Sequence, residues 1–260
     1  MSHPNGYVDP EFLRVIGELF GYIKQRSYTL MQLQAGCQVL DLGCGPGTDT
    51  IPLASLVGKQ GQVVGVDYDA DMVTKAQQSA LEAGLAEYVK HQQADAGMLP
   101  FADNFFDASR SERLFQHLFN PDQALAEMVR VTKSGGWVVV ADTDWGSLSV
   151  DSNEADIERR LAQFMAGSFL HNGYSGRKLH RLFKQQGLAD IALEVFPIAT
   201  RSYTLAREGT RADEVEQAAL DAGVVTADEL YRWHQDLEAA DRNGCYFSSV
   251  NVMLFAGRKP

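Results

Sequence analysis

No run of roughly 18 or more uninterrupted apolar residues occurs in the 260-residue chain, which excludes a helical membrane span of the usual kind. The opening residues, Met1 to Gly6, lack the basic-then-apolar pattern of a secretion signal, so a soluble cytosolic protein is expected. Cysteine is scarce. Cys37, Cys44 and Cys245 are odd in number and none stands in C-x-x-C spacing, so neither a disulfide framework nor a zinc site is suggested. The six histidines show no H-x-x-x-H or H-E-x-x-H pattern, and no metal is expected. Positive charge is also short: 23 Lys and Arg stand against 34 Asp and Glu, for a net charge of −11. With no dense basic patch, the long-range field repels a phosphate backbone, so nucleic acid is not an expected partner.

What the chain does have is Val39-Leu-Asp-Leu-Gly-Cys-Gly-Pro-Gly-Thr48, around which the rest is organised. An apolar run ends in Asp41, three alternate glycines follow (Gly43, Gly45, Gly47), and a helix-compatible apolar segment begins near Thr50. This reads as a strand, a tight turn and a helix, with amide N–H groups at the helix start free to face a ligand. A dinucleotide fingerprint counted from Gly43 needs glycine where Thr48 stands, which weighs against a nicotinamide cofactor. The turn alone is compatible with a cofactor site or with a purely structural role.

Downstream segments continue the alternation. Gly61 to Asp67 reads as a second strand ending in a carboxylate, which suits a ribose acceptor or a solvated turn residue. Asp69 to Ala83 reads as a helix carrying Met72, either an adenine wall or an ordinary core methionine. A short strand runs into Asp95, and Phe105 to Ser109 begins a fourth. Together, Val39 to Thr48, Val64 to Asp67, and Asp95 through Leu-Pro-Phe101 to Phe106-Asp107 resemble the class I S-adenosylmethionine-dependent methyltransferases of the ubiquinone/menaquinone-biosynthesis type. The resemblance implies an α/β fold: a Rossmann-like, mostly parallel seven-stranded sheet with helices on both faces. It implies S-adenosylmethionine as cofactor, and a cofactor set of Asp41, Gly43, Cys44, Gly45, Asp67, Tyr68, Met72, Asp95, Ala96 and Ser111. Within that set Asp67 holds the ribose, while Asp95 and the Ala96 amide read the adenine. Trp137 to Ala141 reads as strand five, and Lys133-Ser-Gly-Gly-Trp137 fits the same family.

One methyltransferase domain over residues 1–260 is expected. An N-terminal helical cap occupies 1–35, the cofactor half 36–142 and the acceptor half 143–260, with a helical insertion between strands six and seven, about 205–243, as a lid. His117 and Asp142 are the candidate bases. Since open α/β sheets bind ligands beyond the carboxyl ends of their strands, Tyr7, Asp144, Trp145, His171 and Tyr174 are candidate acceptor contacts. His117 fits a structural or cofactor-positioning role better than that of a base, and Trp145 could equally pack a loop. The acidic chain and its aromatic rim favour a neutral or cationic, partly apolar small-molecule acceptor methylated at O, C or N. The sequence leaves oligomeric state open. A catalytically silent S-adenosylmethionine-binding module and a nucleotide-cofactor oxidoreductase are the alternatives.

Overall fold

A computed structural model describes residues 10–260, with side chains from Phe20 onward. The helix-period residues ahead of the first strand form one long helix, α1 (Pro10–Leu30). The runs of Val and Leu that follow become β1 (Gln38–Leu42) and β2 (Gln62–Asp67), buried on both faces as central parallel strands are. The sheet is completed by β3 (Val89–Gln93), β4 (Phe106–Glu112), β5 (Thr132–Val150), β6 (Ala189–Thr200) and β7 (Ser248–Arg258), in the order β3-β2-β1-β4-β5-β7-β6. Strands β1 to β5 pair in parallel, and β7 lies antiparallel between β5 and β6. This is the expected Rossmann-like sheet, mostly parallel with one reversed strand.

Helices α2 (Thr50–Val57) and α3 (Ala70–Glu82) follow β1 and β2, and α4 (Pro121–Val131) follows β4. The start of α4 is written locally: the Asn120 side chain accepts from Gln123 N, Pro121 stands in the first turn, and Ala124, Leu125, Met128 and Val131 go inward. Farther along come α5 (Ala155–Phe164) and α6 (Ser175–Gln185). Apolar side chains fill both faces of the sheet, one face packed by α4 and α6, the other by α1 and α2. Between β6 and β7 the expected insertion appears as α7 (Tyr203–Thr210), α8 (Ala212–Asp221) and α9 (Ala227–Arg242), which pack with α5 around a third apolar cluster.

Strand five departs from expectation. It does not end at Ala141 but runs on for 19 residues in all, because β7 continues beside it with Asp142 opposite Met253, Thr143 opposite Val252 and Asp144 opposite Asn251. The segment Asp142 to Trp145 is therefore strand and not an open loop. Strand order reverses between β1 and β4, so the crevice for a ligand opens where the chain leaves those two strands. Among the described residues no helix is long and apolar enough to cross a membrane.

Candidate functional site

The turn after β1 needs its glycines: Gly43, Gly45 and Gly47 have φ of 75°, 51° and 82°, a region that strains L side chains. Its donors are turned inward, contrary to expectation. The amides of Gly43 and Cys44 both donate to Val66 O, at 2.7 and 3.0 Å, Gly45 N donates to Asp67 Oδ2 at 2.8 Å, and Gly47 N donates to Cys44 O. Close backbone approach, rather than a ring of free N–H groups, is what this turn offers a ligand. A Cβ on Gly43 would stand 3.0 Å from the Leu114 side chain, so the segment after β4 sits directly against the turn.

Beneath the turn lies His91 of β3, which sequence reasoning passed over. The single Thr50 hydroxyl proton goes to Gly47 O at 3.0 Å, so the 2.9 Å contact between Thr50 Oγ1 and His91 Nε2 has the imidazole as donor. That fixes the tautomer and leaves Nδ1 buried without a partner. Burial alone takes the imidazole down to about 4. Because a histidine lowered from 6.5 binds its proton less readily folded than unfolded, full stability holds above about pH 6.5 and is lost as pH falls toward 4. The loss is on the order of 3 kcal/mol. Urea unfolding across that range checks this: His91→Gln, which keeps a donor for Thr50 and does not titrate, should flatten the dependence.

At the ends of β2 and β3 stand the two expected acids. Asp67 is half-buried; besides holding Gly45 N it accepts from Asp69 N at 3.0 Å. Asp95 is exposed, accepts from Gly97 N at 2.8 Å and closes a turn with Met98, beside the half-buried Ala96. Tyr68 and Met98, each 75% exposed, follow these adjacent strands, with Met72 half-buried at the start of α3. Ser111 is buried near the end of β4 and its hydroxyl has no partner. Cys44 is buried, and burial with Asp41 and Asp67 nearby pushes its thiol up, so it stays protonated.

Asp41 belongs to a buried ionic cluster that the sequence did not announce. Arg110 of β4, 1% exposed, donates to Asp41 Oδ1 at 2.9 Å, to Ser27 Oγ at 3.0 Å and to Glu112 Oε2, and lies 3.4 Å from Asp49 Oδ2. Lys24 of α1 reaches Asp49 at 2.5 Å and Glu112 at 3.0 Å, and the Tyr28 hydroxyl donates to Asp49. Three cations thus meet three carboxylates, since Arg113 Nε also lies 3.6 Å from Glu112 Oε1, and the carboxyls respond in opposite directions. Burial pushes Asp41 up, more than Arg110 pulls it down; at Asp49 burial is outweighed by Arg110 and Lys24, which hold it at about 2. Asp41 Oδ2 is buried and unpartnered.

The acceptor side corrects several expectations. Asp142 is fully buried, its oxygens taken by the amides of Thr143 (2.7 Å) and Gln116 (3.1 Å), and burial raises it to about 7. It is a brace for the turn ahead of α4 and not an accessible base, because β7 carries β5 past it. Asp144, 2% exposed, is held by Arg177 Nε at 2.8 Å to each oxygen, so its carboxylate is not open to an acceptor. Trp145 packs a loop: its Nε1 donates to Gln116 Oε1 and its amide to Gly173 O. Tyr174 lies under the Arg177 guanidinium, 5.1 Å away, against Gly146. Tyr7 lies outside the described residues.

His117 is different. It ends a 3-10 turn, Phe115–His117, fixed by Asp142, Trp145 and the Asn172 amide, which donates to Gln116 O at 3.0 Å. The ring has an exposed edge, yet partial burial, then Arg211, His171 and Arg113, lower its proton affinity and keep it neutral. His171 stacks on Phe119 with centroids 3.7 Å apart, and the Arg211 guanidinium sits 5.5 Å over Phe169. Arg113 and Arg211 are themselves paired with carboxylates, Arg113 with Glu112 and Arg211 with Glu214.

A glycine turn at the switch point of the sheet, acids at the ends of the next two strands and an orphaned hydroxyl at the end of β4 define a nucleoside-cofactor protein of Rossmann-like build. Residues 33–187 match the methyltransferase-domain family, and the chain belongs to that family: it is a class I methyltransferase that uses S-adenosylmethionine. It is 32% identical over 256 residues to an uncharacterized 37.1 kDa protein in a transposon of Streptomyces fradiae, covering 94% of this chain and 70% of that one. It is 34% identical to the ubiquinone/menaquinone biosynthesis C-methyltransferase of Saccharophagus degradans, over 46% of this chain and 48% of that enzyme. Such quinone-pathway relatives are matched over only about half their length. In fold it resembles a putative methyltransferase from Bacillus halodurans, with a TM-score of 0.66 at 20% identity, covering 92% of this chain and all of that one.

Proposed function

We propose that this methyltransferase acts on a small organic acceptor at an O, C or N nucleophile, by in-line displacement beside His117. The observation that carries the reading is the place of His117: an imidazole with an exposed edge, its proton affinity lowered first by burial and then by Arg211, His171 and Arg113, on the segment that packs against the glycine turn. Bound S-adenosylmethionine supplies a methyl group activated by a sulfonium. In this reading Asp67 accepts the ribose hydroxyls, Asp95 and the Ala96 amide take the adenine edge, and Tyr68, Met72 and Met98 cover its faces. Asp41 Oδ2 and Ser111 Oγ, buried without partners, are the polar atoms left for the donor's amino-acid end.

His117 accepts the acceptor's proton as the new bond forms, which suits an acceptor with an acidic hydroxyl or enol. The residues 1–260 act as one domain, with α7 to α9 as the lid. Acceptor-dependent formation of S-adenosylhomocysteine, read by mass spectrometry over a panel of phenols, enols and amines, tests the reading. Turnover with acidic hydroxyls supports it; donor binding without turnover of any acceptor favours the silent-binder alternative. With a working acceptor, His117→Ala should lower kcat by roughly a hundredfold or more with donor affinity unchanged; an unchanged kcat removes His117 as the base.

A further inference from the structure

Under the insertion lies a cavity of about 70 Å³ between α5, the far end of β5, the start of β7 and helices α7 to α9. Its wall is largely apolar, with Leu161, Met165, Ala206, Val215, Trp233 and Leu237. The polar side chains that reach it are already engaged with one another. Glu216 accepts from both Arg207 Nη atoms (3.0 and 2.7 Å), Trp233 Nε1 (3.2 Å) and His234 Nε2 (2.9 Å). Glu158 takes Val150 N and Arg159, the Thr210 hydroxyl donates to Ala206 O, and Tyr203 receives Arg207. No lining atom is among the described buried polar atoms left without a partner. With most of its polar groups spent in its own wall, and only the Tyr203, Tyr246 and Ser248 hydroxyls besides, the space offers a guest chiefly dispersion and exclusion of water.

The cavity also borders the surroundings of His117. Thr210 and Ala212 line it, and Arg211 between them extends over Phe169. Met165 lines it too, and opens the π turn Met165–Phe169 that leads to His171. One side of each of these segments therefore faces the cavity and the other the surroundings of His117.

We infer that this cavity is the apolar subsite of the acceptor: it takes a short unbranched alkyl group while the reacting atom stands at His117. The inference rests on the methyl-transfer reading for its reacting end, but not for the cavity itself. Two probes separate them. Xenon added to the donor-free protein should shift the ¹³C-methyl resonance of Met165. Phenols bearing para substituents from hydrogen to butyl, titrated into protein saturated with S-adenosylhomocysteine, should bind about fourfold more tightly per methylene until the cavity is full. Ala206→Leu and Ala162→Leu, which fill the space from two different helices, should abolish both effects while S-adenosylhomocysteine binding stays as in the wild type, which also shows that each variant is folded. No Met165 shift, an affinity indifferent to chain length, or a gain that survives both substitutions overturns the inference. Loss of S-adenosylhomocysteine binding by the wild type would instead strike the donor site.

Discussion

Arg110→Ala leaves the protein unfolded or with a small fraction of its stability. The guanidinium is buried and joins α1, β1, the entry to α2 and β4 through Ser27, Asp41, Asp49 and Glu112. Burial works against its charge, but Asp49, Glu112 and Asp41 outweigh it and raise its proton affinity. Removing it leaves three carboxylates to Lys24 and, at Glu112 only, the exposed Arg113. Breaking one buried pair costs about 3–5 kcal/mol, against a total of roughly 5–15 for a typical domain. Arg110→Lys keeps the charge but not the fork, and should lose less. Urea midpoints decide it: a change under about 1 kcal/mol for the alanine variant would mean that the cluster is dispensable. The native cluster should also weaken in acid. Asp49, held at about 2, contributes stability that is present above its unfolded value of 3.8 and is lost as pH falls through 2.

Asp67→Ala should lower affinity for S-adenosylmethionine by a hundredfold or more while the fold survives. The carboxylate spans the glycine turn and the start of α3, through Gly45 N and Asp69 N, and in the proposed complex it also takes the ribose hydroxyls. Hydrogen bonds to a charged group are worth about 1.5–3 kcal/mol each, so losing two amounts to two or more powers of ten. Asp67→Asn keeps an acceptor and should fall between the two. Equal affinity in wild type and Asp67→Ala, by calorimetry, would remove Asp67 from the site. Asp95→Ala, an exposed position making one contact of this kind, should cost less.

The cofactor half was legible because its signals are local. Left-handed glycines at alternate positions and acids where apolar runs stop are demands of the backbone over a few residues, and Gly43, Gly45, Gly47 and Asp67 stand where the pattern put them. The inward direction of the turn's amides was not legible, since it depends on Val66 O from the neighbouring strand. Asp142 and Asp144 looked like a polar edge because acids next to tryptophan and glycine resemble a loop; the strand that buries them arrives more than a hundred residues later. Nothing local marks Arg110 and Glu112, two apart on β4, as buried. Only α1 and the entry to α2, folded over them, turn that stretch into an interior.

The measurement closest to the centre of this account is calorimetric titration of the purified protein with S-adenosylmethionine and S-adenosylhomocysteine. One-to-one micromolar binding of both, lost together in Asp67→Ala and weakened in Asp95→Ala, is the predicted result. A folded wild type that binds neither ligand would contradict the donor site, and with it the proposed chemistry at His117.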